Sequence, residues 1–186
     1  MERWQRSKTW IWNREKLFFH DGLKLHYWEW GDPKEETFIF VHGVRDQGRS
    51  WEHFLAAMIA RGVPIKHAVA LDLRGHGDSE WPTTGRGYQH EDFLTDLAGL
   101  LKHLEKERLT IIGHSLGGSM CLLYAAAFPE KVKRLVLLES LGPFARKDDE
   151  VPEIIAERLK GRNYVEIPFP TNHWKPRRKR CRRRFR

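Results

Sequence analysis

The sequence contains little cysteine and no long hydrophobic run. Only two of its 186 residues are cysteine, Cys121 and Cys181, which is too few for a disulfide framework, and neither has the Cys or His neighbours that a zinc site needs. The longest apolar run covers nine residues, 120–128, far short of the ~20 residues of a membrane-spanning helix. The N-terminus lacks the apolar core of a secretory signal. We therefore expect a cytoplasmic protein without a metal or a membrane span.

Acidic residues are missing from the last part of the chain. The formal net charge is +8, but residues 171–186 contain nine Lys or Arg residues and no Asp or Glu, so the preceding residues are close to neutral. We expect this basic tail to be disordered, because such a run cannot bury itself. Nucleic acid is not expected as a partner, except non-specifically through this tail.

The remaining pattern predicts an α/β fold with a mostly parallel, doubly wound sheet. Residues 1–16 have no clear period and are interpreted as an irregular lead-in, and residues 17–142 alternate between strand and helix patterns. Asp21 and Gly22 form the turn of an N-terminal hairpin, and Ser50 is the expected N-cap of the first helix. The predicted strands are 17–20, 23–30, 37–41, 68–71, 109–112 and 135–138. Residues 143–170 are interpreted as the start of a cap region before the tail.

The chemistry-bearing stretch is Gly113-His114-Ser115-Leu116-Gly117, between a predicted strand and a predicted helix. Strand, Gly-x-Ser-x-Gly and helix form the context in which an exposed serine acts as a nucleophile. The two glycines let strand and helix approach closely, and the sharp turn strains the serine backbone. The amide of Leu116 at the helix N-terminus can stabilise a developing oxyanion.

Three motifs resemble those of the α/β-hydrolase superfamily in order and spacing. They are His42-Gly43, Asp72-Leu73-Arg74-Gly75-His76-Gly77-Asp78-Ser79 and the serine stretch continued to Gly118. The resemblance covers roughly residues 17–150. It implies an α/β-hydrolase fold that lacks its last strands, so we expect a C-terminally truncated chain.

The resemblance also implies roles for individual residues. Val44 and Leu116 would supply the two amides of an oxyanion hole, and His42 would shape the loop that carries Val44. Arg74 is expected to be structural. His114 fills a variable position of the serine turn and is expected to support the motif without sharing the serine's role.

Glu139 directly follows the predicted strand 135–138. It is the candidate catalytic acid, since part of the superfamily resembled here places the acid directly after the corresponding strand. The alternative is that Glu139 is an exposed residue that begins a loop. The histidine base implied by the resemblance would lie beyond the predicted strands. The chain offers only His173 there, within a segment unlike a hydrolase C-terminus, so we expect the base to be missing.

The leading hypothesis is a serine hydrolase that cleaves an ester, amide or related carbonyl compound, a small-molecule substrate, through a Ser115 acyl-enzyme without a cofactor. Serine at this position argues against epoxide hydrolase or haloalkane dehalogenase chemistry, since the families resembled use aspartate there. Two alternatives remain open. One is a truncated, non-catalytic hydrolase-like protein, and the other is anion or nucleic-acid binding through the basic tail.

Overall fold

The computed structural model describes residues 14–82 and 87–140. Six strands form one sheet in the order β1-β2-β4-β3-β5-β6. The strands are β1 (Arg14–His20), β2 (Leu23–Gly31), β3 (Thr37–Val41), β4 (His67–Asp72), β5 (Leu109–His114) and β6 (Val132–Leu138). The helices are α1 (Trp51–Ala60), α2 (His90–His103) and α3 (Leu116–Ala127). β1, β2 and β4 pair antiparallel, whereas β4, β3, β5 and β6 pair parallel. The predicted α/β-hydrolase architecture with an N-terminal hairpin is confirmed.

The hairpin turns at Asp21 and Gly22, whose φ angles of 50° and 73° are both positive. Two successive positive φ angles match the right-handed twist of paired strands, which explains the Asp-Gly pair. β1 begins at Arg14, so the last three residues of the predicted lead-in belong to the sheet. Residues 1–13, the whole region 143–170 and the basic tail lie outside the described residues.

Helices cover both faces of the sheet, because alternate residues of the central strands point to opposite sides. On one face, Phe40 of β3 packs in a cluster with Trp51 and Leu55 of α1. On the other face, Ile39 and Val41 pack in a cluster that includes residues of both α2 and α3. This arrangement confirms the predicted doubly wound sheet. Among the described residues, no helix is both long and apolar enough to cross a membrane.

The start of α1 differs from the prediction that Ser50 is an N-cap. Ser50 has helical dihedral angles and makes no side-chain capping bond to the helix. Its hydroxyl instead donates a 2.7 Å hydrogen bond to the carbonyl of Gln47, because a short 3₁₀ turn at Gly48–Ser50 leads directly into α1. Ser50 thus occupies the predicted N-cap position but does not cap the helix with its side chain, since the preceding turn uses the hydroxyl.

Arg74 joins three parts of the fold. Its side chain is 2% exposed and donates from Nε and Nη2 to the two carboxylate oxygens of Asp96 on α2, at 2.9 and 2.6 Å. Nη2 also lies 3.3 Å from the Asp21 carboxylate in the hairpin turn. The predicted structural role of Arg74 agrees with these contacts, because a buried guanidinium needs a paired carboxylate.

We expect Asp96→Asn to destabilise the fold by about 3–5 kcal/mol, because it leaves the buried Arg74 charge without its main partner. The matched control is Glu36→Gln, which weakens the solvent-exposed pairs of Glu36 with Lys133 and Arg134. That control should cost less than about 1 kcal/mol. Urea unfolding of both variants measures the difference, and equal losses would contradict the assigned role of Arg74.

Candidate active site

Ser115 lies at the sharp junction between β5 and α3. Its backbone has φ 51° and ψ −118°, a conformation that costs free energy in a residue other than glycine and is typically found at functional sites. Ser115 is exposed, and its amide donates a 3.0 Å hydrogen bond to the carbonyl of Leu138. The serine is therefore held at the carboxyl edge of the sheet, between the ends of β5 and β6.

Glycines permit this junction. A Cβ atom on Gly113 would lie 2.5 Å from the Cα of Gly118 and 2.7 Å from the carbonyl oxygen of Gly117. A Cβ on Gly117 would lie 2.5 Å from the carbonyl oxygen of His42. Real Cβ atoms do not approach other atoms so closely, so β5, α3 and the end of β3 pack backbone against backbone. The strand–helix packing predicted for Gly113 and Gly117 has this physical cause.

The same packing brings two candidate anion-binding amides to one region. Leu116 is the first residue of α3, so its amide belongs to the positive end of the helix dipole. Val44 follows His42 and Gly43 in the loop after β3, against which the start of α3 packs. The residue is 59% exposed. Both residues therefore lie on the side of the sheet edge that Ser115 occupies.

His42 fixes the loop from beneath. It is fully buried, its Nδ1 lies 2.7 Å from the carbonyl oxygen of Gly43, and its Nε2 accepts a 3.1 Å hydrogen bond from the amide of Leu73. Because Nε2 accepts, the proton is on Nδ1 and the ring is neutral. Burial lowers the pKa of His42, outweighing the contact with Gly43 and the charge of Asp72. These contacts are those of a residue that shapes a loop.

The His114 side chain lies beside the serine turn. A Cβ on Gly43 would lie 3.0 Å from His114 Nδ1 and 3.1 Å from Ser115 Cβ, so the imidazole and the serine side chain share the space above Gly43. The expectation that His114 only supports the motif stays a prediction. The sequence contained no signal for this shared space, because neighbouring residues in extended backbone normally point to opposite sides. The positive φ of Ser115 breaks that alternation.

Glu139 follows β6 directly, with φ 49°, and its side chain is 89% exposed. Its Oε2 lies 3.8 Å from His114 Nε2. The carboxylate thus occupies the strand end where the acid was predicted, and it is exposed as the alternative interpretation required. Its nearest ionisable partner among the described residues is His114.

A second polar cluster lies around Asp72 at the end of β4. Ligand atoms of His26, Asp72 and Asp78 lie within 4.8 Å of one another, and the described residues contain no other group of this kind. Asp72 already accepts hydrogen bonds from the amides of Gly48 and Asp78, at 2.5 and 3.1 Å, and contacts His26 Nδ1 at 2.8 Å. These donors favour a carboxylate that anchors the surrounding loops over one that binds a cation.

Comparison with known proteins identifies the family. Residues 36–173 match the protein family described as "alpha/beta hydrolase fold". The chain belongs to this family.

Relatives within it carry several activities in their names. The chain is 30% identical over 122 residues to Epoxide hydrolase 4 of Mus musculus, covering 66% of this chain and 33% of that protein. It is 30% identical over 142 residues to Non-heme chloroperoxidase CPO-A1 of Kitasatospora aureofaciens, covering 75% and 48%.

Solved structures give the same result. The thioesterase domain from the curacin biosynthetic pathway superposes with a TM-score of 0.66 at 26% identity, covering 77% of this chain and 52% of that one. Epoxide hydrolase VrEH1 from Vigna radiata superposes with a TM-score of 0.66 at 27% identity, covering 82% and 48%. The chain thus spans half or less of the length of these curated relatives and about half of these structures.

Folding keeps His42 neutral, so the free energy of unfolding should depend on pH. Its lowered pKa means that the unfolded chain binds more protons in mild acid, so the stabilisation is complete above a pH of about 6.5 and is lost as the pH falls through the folded pKa. We expect His42→Asn to be less stable at pH 7 and to lose less further stability between pH 7 and 5 than wild type.

Urea unfolding at pH 7, 6 and 5 measures this dependence. The exposed His53 of α1 provides the control, because His53→Asn should keep the wild-type pH profile. An unchanged pH dependence in His42→Asn would show that a buried neutral His42 does not contribute.

Proposed function

We propose that this chain is a serine hydrolase whose Ser115 attacks the carbonyl carbon of an ester, amide or thioester and forms an acyl-enzyme. The observation that carries the proposal is the strained, exposed Ser115 at the tip of β5, with φ 51° directly before the first turn of α3. Strain of this kind persists only where the surrounding packing enforces it. The close contacts of Gly113 with Gly117 and Gly118, and of Gly117 with His42, enforce this strain.

The amides of Val44 and Leu116 are the proposed oxyanion hole. Charge develops on the carbonyl oxygen when Ser115 attacks, and preorganised N–H donors stabilise that charge more than they stabilise the neutral substrate. His42 supports this role indirectly, because its two hydrogen bonds fix the loop of Val44. Glu139 is the proposed acid, which orients the imidazole that accepts the Ser115 proton.

The names of the relatives favour acyl transfer only in part. One superposed structure is a thioesterase domain, which agrees with attack on a carbonyl carbon, whereas others are named epoxide hydrolases. Serine in place of the aspartate expected for epoxide opening favours the carbonyl substrate. The proposed substrate is a small molecule. The non-catalytic alternative differs from the proposed serine hydrolase in requiring an unreactive Ser115.

Reaction with a fluorophosphonate probe tests the proposal. We expect the probe to label the purified full chain but not Ser115→Ala, because it reacts with activated serine hydroxyls. Ser119→Ala is the matched control on the next turn of α3, and it should label like wild type. The measurement is probe incorporation with time. A folded wild-type chain that remains unlabelled would contradict the proposal and favour the non-catalytic alternative.

The oxyanion hole predicts a difference between two substitutions of one residue. Val44→Pro removes the amide N–H, so hydrolysis of an activated ester should fall about 10²- to 10³-fold. Val44→Ala keeps the N–H and should retain most of the activity. Steady-state kinetics with p-nitrophenyl acetate measures both. Equal rates for the two variants would exclude the Val44 amide from the site.

A further inference from the structure

The proposed oxyanion hole needs a Val44 amide that stays in one place, and a buried carboxylate holds the far end of the loop that carries this amide. We propose that Asp72 is a positioning residue for the Val44 amide, acting through the hydrogen bond that it accepts from the amide of Gly48. The inference rests on the proposed function. It assigns control over the oxyanion hole to a side chain at the end of β4.

The first observation is the shape of the loop between β3 and α1. Residues 44, 45 and 47 are exposed, whereas Gly43 before the turn and Gly48 after it are buried. Arg45 has a φ of 62°, a conformation that costs free energy in a residue other than glycine and persists only where the surrounding structure enforces it. Since three of the four turn residues face solvent, the buried ends of the turn carry the contacts that hold it.

Both ends of the turn are fixed to the end of β4. At the first end, His42 accepts a hydrogen bond from the amide of Leu73 and contacts the carbonyl of Gly43. At the second end, the Gly48 amide donates a 2.5 Å hydrogen bond to Asp72 Oδ1. The proposed oxyanion amide therefore lies in a segment whose two ends are held by the adjacent residues 72 and 73.

The backbone of Gly48 lies directly against β4. A Cβ atom on this residue would lie 2.8 Å from the carbonyl oxygen of Ala70 and 3.1 Å from Asp72 Oδ1. Real Cβ atoms do not come within 3.0 Å of other atoms, so only glycine permits this approach. The close approach is what brings the Gly48 amide within hydrogen-bond distance of the carboxylate.

The Asp72 carboxylate is itself held in place. It is fully buried, and its second oxygen, Oδ2, accepts a 3.1 Å hydrogen bond from the amide of Asp78 and lies 2.8 Å from His26 Nδ1. The two oxygens thus have separate partners, with Oδ1 facing Gly48. Hydrogen bonds to an ionised acceptor are stronger than those between neutral groups, so the carboxylate is a firm anchor for the turn.

Loss of this anchor should lower the rate rather than the affinity for substrate. An oxyanion donor acts on charge that develops in the transition state, and it does so only if it is already positioned. A Val44 amide released from its place therefore lowers kcat, whereas KM changes little.

A double-mutant cycle between Asp72 and Val44 tests the inference on the full chain, with folding checked by circular dichroism. Asp72→Ala removes the acceptor of the Gly48 amide, so kcat for p-nitrophenyl acetate should fall about 10- to 100-fold with little change in KM. In Val44→Pro the amide N–H is already absent, so adding Asp72→Ala should lower kcat less than about 2-fold further. Equal losses in both backgrounds would show that Asp72 does not act through the Val44 amide and would overturn the inference.

Ser79→Ala is the matched control. The Ser79 hydroxyl donates to the main-chain carbonyl of Asp72 at 2.5 Å and accepts a hydrogen bond from the amide of His26 at 2.8 Å. Its loss should lower the free energy of unfolding but leave kcat near the wild-type value, because the bond between the carboxylate and Gly48 remains. A loss of kcat equal to that of Asp72→Ala would assign Asp72 to general stability and overturn the inference.

Gly48→Ala decides if Asp72→Ala does not fold. The added Cβ displaces the Gly48 amide from the carbonyl of Ala70, so kcat should fall in the wild-type background but not in Val44→Pro. An unchanged kcat in Gly48→Ala would overturn the inference and leave the proposed function intact. A folded wild-type chain that neither hydrolyses the ester nor reacts with the fluorophosphonate probe would instead overturn the proposed function, and the inference with it.

Discussion

The close approach of α3 to the ends of β3 and β5 is the constraint on which the site depends. Gly113 and Gly117 have no room for a Cβ, since each would contact backbone atoms at 2.5 Å. This contact compresses the turn between β5 and α3 into a single residue, Ser115, with a positive φ. Had either glycine been alanine, the helix would have to move away, and the strain on the serine would be released.

The same contact assembles the surroundings of the serine from separate parts of the chain. The carbonyl of Leu138 accepts a hydrogen bond from the Ser115 amide. This bond joins the turn to the end of β6, which Glu139 follows. The carbonyl of His42 lies against Gly117, which places the loop of Gly43 and Val44 beside the start of α3. One packing contact thus gathers the proposed nucleophile, two amides, an imidazole and a carboxylate at one sheet edge.

Much of this arrangement could be predicted from local sequence. Apolar β-branched runs identified β3 and β5, and the Asp21-Gly22 pair identified the hairpin, because both signals depend on neighbouring residues alone. The serine turn was predictable for the same reason. The use of the Ser50 hydroxyl could not be predicted, because a 3₁₀ turn uses it and the helical period does not reveal that turn.

The orientation of His114 could not be predicted, since it depends on the backbone rotation at Ser115 and on the empty space over Gly43. The pairing of His114 with Glu139 was equally hidden, because the two residues are 25 positions apart and meet only through the parallel pairing of β5 with β6. Buried partners such as Asp96 for Arg74 also require the tertiary structure. Sequence patterns and the family resemblance therefore predicted Ser115, Val44, Leu116 and Glu139 as site residues, whereas the position of His114 required coordinates.

The most direct test of the account is a crystal structure of the chain after reaction with a phosphonate probe. The account predicts a phosphorus–oxygen bond to Ser115 Oγ, with the phosphoryl oxygen accepting hydrogen bonds of about 2.7–3.1 Å from the amides of Val44 and Leu116. An adduct on another residue, or a phosphoryl oxygen that points away from both amides, would contradict it.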